Sequence, residues 1–225
     1  MKTTIDGLAA PNASNDYRAA RETLYAAERD LIAHVEQVAR MRRTLPTGPE
    51  VPDYEFVGLN GRVRLSQLFD ADREPYLVMY HVMYWADEDT FCPMCSGWID
   101  ALTGVAPHVM RRVSFVAASQ APPERLQQWA RQRGWDRMPV LSDVGTELAD
   151  AIGARDEDGD PVSTVTVFAK DGNAVRHVYT MHPDDAESGN GRGIDLLNPV
   201  WHVFDLTPAG RGDVNLSNDY LPMRA

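Results

Sequence analysis

The chain has 225 residues, of which 44% are hydrophobic, and its 22 Lys and Arg against 33 Asp and Glu give a formal net charge of −11. A chain of this length and apolar content can bury a substantial core, which excludes a disordered protein and a disulfide-stapled miniprotein. The acidic balance excludes nucleic acid and anionic membranes as the main partners, because both need a basic surface.

The N-terminal sequence and the distribution of apolar residues predict a cytoplasmic protein. Residues 1–16 contain no apolar signal core, and no apolar run is long enough to cross a bilayer. The longest such run, 76–85, contains His81 and is typical of a buried strand. In a reducing compartment the two cysteines are not expected to form a structural disulfide.

The first predicted element is a long amphipathic helix over residues 16–43. This segment lacks Pro and Gly, its apolar residues recur at steps of three or four, Asn15 or Asp16 can cap it, and Pro46 ends it. An apolar stripe on one helix must be covered either by the rest of the domain or by a second subunit. A homodimer through this helix is therefore one of two alternatives, and we assign the helix to an N-terminal extension, residues 1–50.

Strands and helices alternate through the next segment, residues 51–206. An Asn60-Gly61 pair predicts a tight hairpin near its start, and an apolar run predicts a buried strand at 75–82 that leads into a helix at 92–110. Further strands are predicted at 113–118 and 138–141, helices at 122–133, 146–152 and 194–204, and a second hairpin from 162–168 and 174–180. The alternation predicts an α/β domain whose central strands are buried on both faces, followed by a weakly structured tail, residues 207–225.

Cys92 and Cys95, in the sequence Cys-Pro-Met-Cys, lie where the buried strand passes into a helix. The unpaired N–H groups and the dipole of a helix N-terminus stabilise a thiolate, and they lower the pKa of a cysteine there from about 8.5 towards about 7 or below. Cys95 lies one helical turn further on, close enough to attack a mixed disulfide formed on Cys92. Pro93 suits the first helical turn, where no N–H donor is needed. The pattern predicts a redox-active disulfide in which Cys92 attacks and Cys95 resolves.

The sequence around these cysteines resembles the thioredoxin-like superfamily over residues 53–180. Residues 56–69 resemble the entry hairpin of its peroxiredoxin and thiol-disulfide reductase branch, and residues 140–143 and 151–153 resemble the inserted strand and helix of that branch. The resemblance implies an α/β, thioredoxin-like fold. In that fold a central mixed sheet is flanked by helices, and here an N-terminal hairpin and a long N-terminal helix are added.

Nearly the whole chain is similar to a bacterial thioredoxin-like family that is catalogued as a domain of unknown function. Besides the long helix, the similarity is carried by short segments at 42–46, 53–54, 80–81, 107–108, 193–198 and 205–208. It implies a fold without a settled substrate. Together with the dithiol it predicts an oxidoreductase of the thiol-disulfide or peroxide-reducing kind, which needs no cofactor and acts on a small-molecule or protein thiol or disulfide.

Two features depart from the superfamily patterns. Thioredoxins carry a cis-proline just before the strand that faces the dithiol, whereas here Ser163 or Thr164 takes that place because Pro161 comes two or three residues too early. The peroxiredoxin pattern places the peroxide-reactive cysteine at the position of Cys95, with Thr at that of Cys92. The first departure leaves room for a metal ion, and the second leaves the identity of the attacking cysteine open.

The alternative function is a copper- or zinc-binding protein or metalloenzyme. Cys92 and Cys95 with His81 and His177 would form a Cys2His2 set that suits copper(I) or zinc. His81 is the first candidate, because it would end the strand that leads to the dithiol, where open α/β sheets place their sites. A buried structural role is the other interpretation of each histidine. A zinc ribbon is disfavoured, since the sequence has no second Cys-x-x-Cys pair.

Overall fold

The computed structural model describes residues 12–183, 198–210, 212 and 216–218. The chain divides into two compact units, residues 1–46 and residues 47–225. No helix in these described ranges is both long and apolar enough to span a membrane.

The first unit contains one long helix, α1 (Asn15–Arg43). It begins at Ser14, whose Oγ accepts the backbone N–H of Tyr17 at 3.2 Å, so the cap lies one residue before the earlier of the two predicted caps. Three arginines in the last turn complement the negative end of the helix dipole. None of the residues of α1 is buried, and the homodimer through this helix stays a prediction.

The second unit is built on a mixed sheet. Its strands are β1 (Glu50–Val51), β2 (Glu55–Gly58), β3 (Gly61–Arg64), β4 (Tyr76–His81), β7 (Ser114–Ser119), β8 (Val140–Ser142), β9 (Thr164–Asp171) and β10 (Ala174–Met181), while β5 (Tyr84–Trp85) and β6 (Thr90–Phe91) form a separate small hairpin. The helices are α2 (Pro93–Val109), α3 (Pro123–Arg133), α4 (Leu148–Ala151) and α5 (Pro199–Asp205).

The order of strands across the sheet is β1-β10-β9-β4-β7-β8-β2-β3. Strand β4 is parallel to β7, and α2 connects the two; β9 is antiparallel both to β4 and to β10. This βαβ unit followed by a β-hairpin and the helix α5 is the thioredoxin-like arrangement, so the fold implied by the resemblance is confirmed. The inserted strand β8 extends the parallel part, and the β2–β3 hairpin closes that edge.

Two apolar clusters cover opposite faces of the sheet. Successive side chains of a strand point to opposite faces, and in β4 Tyr80 joins one cluster while Leu77 and Met79 join the other. The first cluster lies under α2 and α3 and includes both cysteines, Trp98 and Trp129. The second includes Phe56, Leu148 and Phe168. The buried strand β4 therefore separates the dithiol face from the opposite face.

The structure differs from the sequence predictions mostly in short elements. The β5–β6 hairpin was not predicted, because its two-residue strands flank an acidic turn that appeared to be a plain loop. The Tyr84 hydroxyl donates to Asp89 at 2.7 Å and holds this turn together. Helix α4 is shorter than the predicted 146–152, and the helix predicted at 194–204 runs from Pro199 to Asp205, with residues 194–197 outside the described residues.

Candidate dithiol site

Helix α2 positions the two cysteines, as the sequence predicted. Cys92 is its N-cap, and the Cys92 Sγ accepts the backbone N–H of Cys95 at 3.4 Å. The backbone N–H of Cys92 donates to the carbonyl of Met83 at 3.2 Å, which ties the start of the helix to the segment after β4. Pro93 occupies the first helical turn. The Cys92 sulfur thus lies beside the unpaired backbone N–H groups at the N-terminus of α2.

The two thiols differ in their access to solvent. Neither forms a disulfide, and Cys92 is 9% exposed whereas Cys95 is 1% exposed. A reagent from solution therefore meets Cys92 first. Residues three apart in a helix are neighbours. This spacing allows Cys92 and Cys95 to form a disulfide without a change of fold.

Burial raises the pKa of the Cys95 thiol well above its ordinary value of 9.0, and the adjacent Cys92 raises it further. A backbone hydrogen bond at Met83 and a hydrogen bond from Tyr80 oppose this shift without cancelling it. The pKa of Tyr80 is also raised well above 10.0, first by burial and then by Cys95. Cys95 and Tyr80 are therefore both protonated at neutral pH, and the Tyr80 hydroxyl donates to the Cys95 sulfur.

Ser163 completes the polar contacts on this side of the sheet. Strand β9 begins at Thr164, which pairs with His81, and the preceding Ser163 is 7% exposed. A hydrogen bond from the Ser163 side chain lowers the pKa of Tyr80, so the Ser163 hydroxyl donates to the Tyr80 oxygen. The sequence placed either Ser163 or Thr164 where thioredoxins carry the cis-proline. In the structure Ser163 is the one connected to the dithiol, through its hydrogen bond to Tyr80.

Aromatic rings enclose the buried side of the dithiol. Phe91 stacks on Trp129 with ring centroids 5.3 Å apart, and Tyr80 lies 5.7 Å from Trp98. The guanidinium of Arg125 lies 5.1 Å from the centre of the Phe91 ring. These packed rings belong to the core, and they hold Phe91, the residue before Cys92, in place.

His81 and His177 do not join the cysteines. Along β4, His81 has the same orientation as Leu77 and Met79, which belong to the face opposite the dithiol. Its Nε2 contacts Asp143 instead. His177 pairs with Phe168 on that same opposite face, and its Nε2 contacts Thr180 Oγ1 at 2.8 Å.

The predicted Cys2His2 set is therefore not assembled. Leu77, the β4 neighbour of Phe168, is four positions before His81, so His177 lies about 13 Å further along the sheet. In the described part of the chain no group of three or more His, Cys, Asp or Glu side chains is placed to hold a metal ion. The two sulfurs are the potential ligands that the structure does bring together.

A C-terminal segment, residues 216–218, reaches the first turns of α2. The Asn218 side-chain amide donates to the carbonyl of Phe91 at 3.1 Å, and its oxygen accepts from Arg133 at 3.3 Å. Leu216 lies so close to Gly97 that a Cβ added there would come within 2.4 Å of its Cδ1. The tail predicted to be weakly structured thus contains a segment anchored beside the dithiol.

Tyr80, Ser163 and Asn218 belong to this site but are not among the site residues predicted from the sequence. Tyr80 carried a usable signal, since it is one residue from His81 and alternation must place one of the two on the dithiol face. Ser163 was named only as a substitute for a proline. Asn218 had no sequence signal, because its partner Phe91 lies 127 residues away.

The fold and this site define a thioredoxin-like protein with a dithiol at the N-terminus of the helix that follows its central strand. The family model described as "Bacterial protein of unknown function (DUF899)" matches residues 9–224, and the chain belongs to that family. This agrees with the similarity stated from the sequence. Among curated proteins no sequence matches significantly.

Three of the solved structures to which this chain is similar are the following. Peroxidoxin BcpB from Mycobacterium tuberculosis is 22% identical with a TM-score of 0.48, over 61% of this chain and 86% of that one. AhpC from the same organism is 19% identical with a TM-score of 0.46, over 69% and 93%. A peroxiredoxin-like protein from Aquifex aeolicus is 15% identical with a TM-score of 0.47, over 61% and 76%.

Proposed function

We propose that this protein is a thiol oxidoreductase that cycles Cys92 and Cys95 between a dithiol and a disulfide. The observation that carries the proposal is the contrast between the two thiols. Cys92 caps α2 and is the more exposed, whereas Cys95 is buried and the pKa of its thiol is raised. An attacking thiol needs access and a stabilised thiolate, and a resolving thiol needs only to reach its neighbour.

With a disulfide substrate the cycle has two steps. The Cys92 thiolate attacks one substrate sulfur, forms a mixed disulfide and releases the other substrate sulfur as a thiolate. Cys95 then attacks the Cys92 sulfur, which forms the internal disulfide and releases the second substrate thiolate. The Cys95 proton passes to a leaving thiolate, and the two electrons gained by the substrate come from the dithiol. An external dithiol reduces the protein again.

With a hydroperoxide the same residues act in the same order. The Cys92 thiolate attacks the O–O bond, becomes a sulfenic acid and releases an alkoxide or hydroxide that takes up a proton. The Cys95 thiol condenses with the sulfenic acid, forming the internal disulfide and water. Both substrate classes therefore share one attacking sulfur and one disulfide product.

Thiol counting tests the proposal on the full chain. We expect the reduced protein to show two free thiols and, after one equivalent of hydrogen peroxide or of oxidised glutathione, none, with no increase in mass by crosslinking. A Cys95→Ser variant should accumulate a glutathione adduct or sulfenic acid on Cys92, and a Cys92→Ser variant should not react at a comparable rate. An oxidised wild-type protein that still shows two free thiols would contradict the proposal. Comparing rates with the two oxidants identifies the substrate class.

We also propose that α1 mediates a homodimer. Leu24, Leu31, Val38 and Met41 are each more than 40% exposed, and a helix with such a stripe is stabilised by covering it. We expect light scattering to give twice the chain mass, and a Leu31→Glu/Val38→Glu variant to be monomeric. An Ala26→Glu/Ala33→Glu variant adds the same charge on the other side of the helix and should remain dimeric. A monomeric wild-type protein would refute the dimer.

A further inference from the structure

The β5–β6 hairpin leads directly into Cys92, and both of its strands connect to the start of α2. Tyr84 of β5 pairs with Phe91 of β6, and Phe91 is the residue before Cys92. The backbone N–H of Cys92 donates to the carbonyl of Met83, the residue before Tyr84, at 3.2 Å. A displacement of the hairpin therefore displaces the backbone of Cys92.

The turn of this hairpin contains a residue in an unusual backbone conformation, Asp89. Its φ of 49° lies in the left-handed region, and among the described residues it is the one residue other than glycine with a positive φ. Aspartate tolerates this region better than most residues, but neighbouring contacts still have to hold it there. The shape of the turn thus depends on what Asp89 contacts.

Arg125, in the first turn of α3, makes two of these contacts. Its Nε donates to the Asp89 Oδ1 at 2.7 Å, and its Nη2 donates to the Asp89 backbone carbonyl at 3.1 Å. One guanidinium therefore binds both the side chain and the backbone of Asp89. The rigid fork of N–H donors on arginine makes such a two-point contact, whereas the ammonium group of lysine does not reproduce it.

The same guanidinium lies over the aromatic ring that precedes Cys92. It is 5.1 Å from the centre of the Phe91 ring and 5.5 Å from that of Trp129, distances at which a cation is attracted to an aromatic face. The Trp129 Nε1 donates to the Ser96 Oγ of α2 at 3.3 Å. Arg125 thus joins α3, the hairpin turn and the residue before Cys92 in one set of contacts.

The ion pair between Arg125 and Asp89 is too exposed to be a main source of stability. The Asp89 side chain is 62% exposed and that of Arg125 is 24% exposed, and exposed ion pairs contribute little to the free energy of unfolding. The pair instead fixes the place of the turn relative to α3. Position matters at Cys92, because its sulfur accepts the Cys95 N–H at 3.4 Å and such a bond weakens steeply with misalignment.

We propose that Arg125 is a positioning residue for the attack by Cys92. Through Asp89 and Phe91 it holds the segment that enters α2, so that the Cys92 sulfur keeps the hydrogen bond from the Cys95 N–H that stabilises its thiolate. This inference rests on the proposed dithiol cycle, in which Cys92 is the attacking thiol.

Pulse alkylation of the reduced full-length protein with iodoacetamide, measured at Cys92 by peptide mass spectrometry, tests this role. We expect Arg125→Gln to react about fivefold more slowly at pH 7, the effect of losing one hydrogen bond to the thiolate. At pH 10, where a thiolate forms without that bond, it should react at the wild-type rate. Arg125→Lys should be slow like Arg125→Gln, because it keeps the charge but not the two-point contact. A double variant, Asp89→Asn/Arg125→Gln, should be no slower than Arg125→Gln, since both changes remove the same contact.

Asp87→Asn and Arg131→Gln are the matched controls, because they remove the same charges from the same turn and the same helix. In the described part of the chain neither residue forms an ion pair with Asp89 or Arg125, so both variants should react like the wild-type protein. All variants should unfold within about 4 °C of the wild-type midpoint. A wild-type or faster rate in Arg125→Gln at pH 7, a defect that persists at pH 10, rescue by Arg125→Lys, or an equal defect in either control would overturn the proposal. Alkylation requires no redox cycle, so failure of the dithiol cycle would appear in the thiol count and leave these rates unchanged.

Discussion

The backbone N–H of Cys95 points at the sulfur of Cys92, with 3.4 Å between nitrogen and Sγ. This contact is charge-assisted when Cys92 is a thiolate, so it stabilises the attacking form of one cysteine by means of the backbone of the other. The Cys95 side chain lies in the opposite environment, buried next to Tyr80. The asymmetry of the dithiol thus follows from where α2 begins.

This asymmetry predicts which thiol is alkylated. We expect a short pulse of iodoacetamide at pH 7 to modify Cys92 more than about tenfold faster than Cys95, because a difference of one pKa unit alone gives that ratio of thiolate. Peptide mass spectrometry of the reduced protein measures both sites. Equal labelling, or faster labelling of Cys95, would instead assign the attack to Cys95, as the peroxiredoxin pattern does.

Tyr80 should govern the second step of the cycle. A Tyr80→Phe variant removes the hydroxyl that donates to the Cys95 sulfur, so the pKa of that thiol rises further and resolution slows by about tenfold. Attack by Cys92 should keep its wild-type rate. Single-turnover kinetics with oxidised glutathione separate the two steps.

Tyr84→Phe is the control for this variant, because the Tyr84 hydroxyl donates to Asp89. It also removes one tyrosine hydroxyl but leaves the contact with the Cys95 sulfur in place. Equal rates of resolution in Tyr80→Phe and Tyr84→Phe would contradict the role given to Tyr80.

Alkaline pH should destabilise the reduced protein. The folded-state pKa values of Cys95 and Tyr80 are raised, so the unfolded chain loses these protons at lower pH than the folded chain does. Their contribution is fully present below the ordinary thiol pKa of 9.0 and declines as pH rises beyond it, by up to about 1.4 kcal/mol per pH unit for each group.

Urea unfolding of reduced protein between pH 7 and pH 11 measures this slope. A Cys95→Ala variant lacks one of the two groups, so its stability should fall less steeply above about pH 9. Wild-type stability that is constant or increases over this range would contradict the raised pKa values.

The local elements of this fold could be predicted from the sequence, whereas the contacts between distant segments could not. The tight hairpin near residue 60, the buried strand and the helix capped by Cys92 each depend on neighbouring residues, and the structure contains them. The turn itself is formed by Leu59 and Asn60, one residue earlier than the predicted Asn60-Gly61, because Gly61 already pairs with Gly58 as the first residue of β3.

The prediction that His81 lies with the cysteines is wrong, because alternation along β4 turns its side chain to the face of Leu77 and Met79, opposite the dithiol. Which face α2 would cover depends on packing between distant segments, and no local pattern reports it.

The anchoring of residues 216–218 beside the dithiol gives a last prediction. In a Gly97→Ala variant the new methyl group would come within 2.4 Å of the Leu216 Cδ1, the far end of a flexible side chain, so the tail should move and the helix should persist. Gly104→Ala lies in the same helix with nothing within 4 Å of its added Cβ. Replacing an interior helical glycine by alanine stabilises by about 1 kcal/mol, and we expect that gain in full only for Gly104→Ala.

The tail also contacts the segment that leads into α2, since the Asn218 amide donates to the carbonyl of Phe91, the residue before Cys92. Loosening that bond should raise the rate of Cys92 alkylation several-fold in Gly97→Ala and leave it unchanged in Gly104→Ala. Thermal unfolding and pulse labelling of the two variants side by side provide the measurement. If both variants gain the same stability and keep the wild-type labelling rate, the tail segment does not restrain the dithiol.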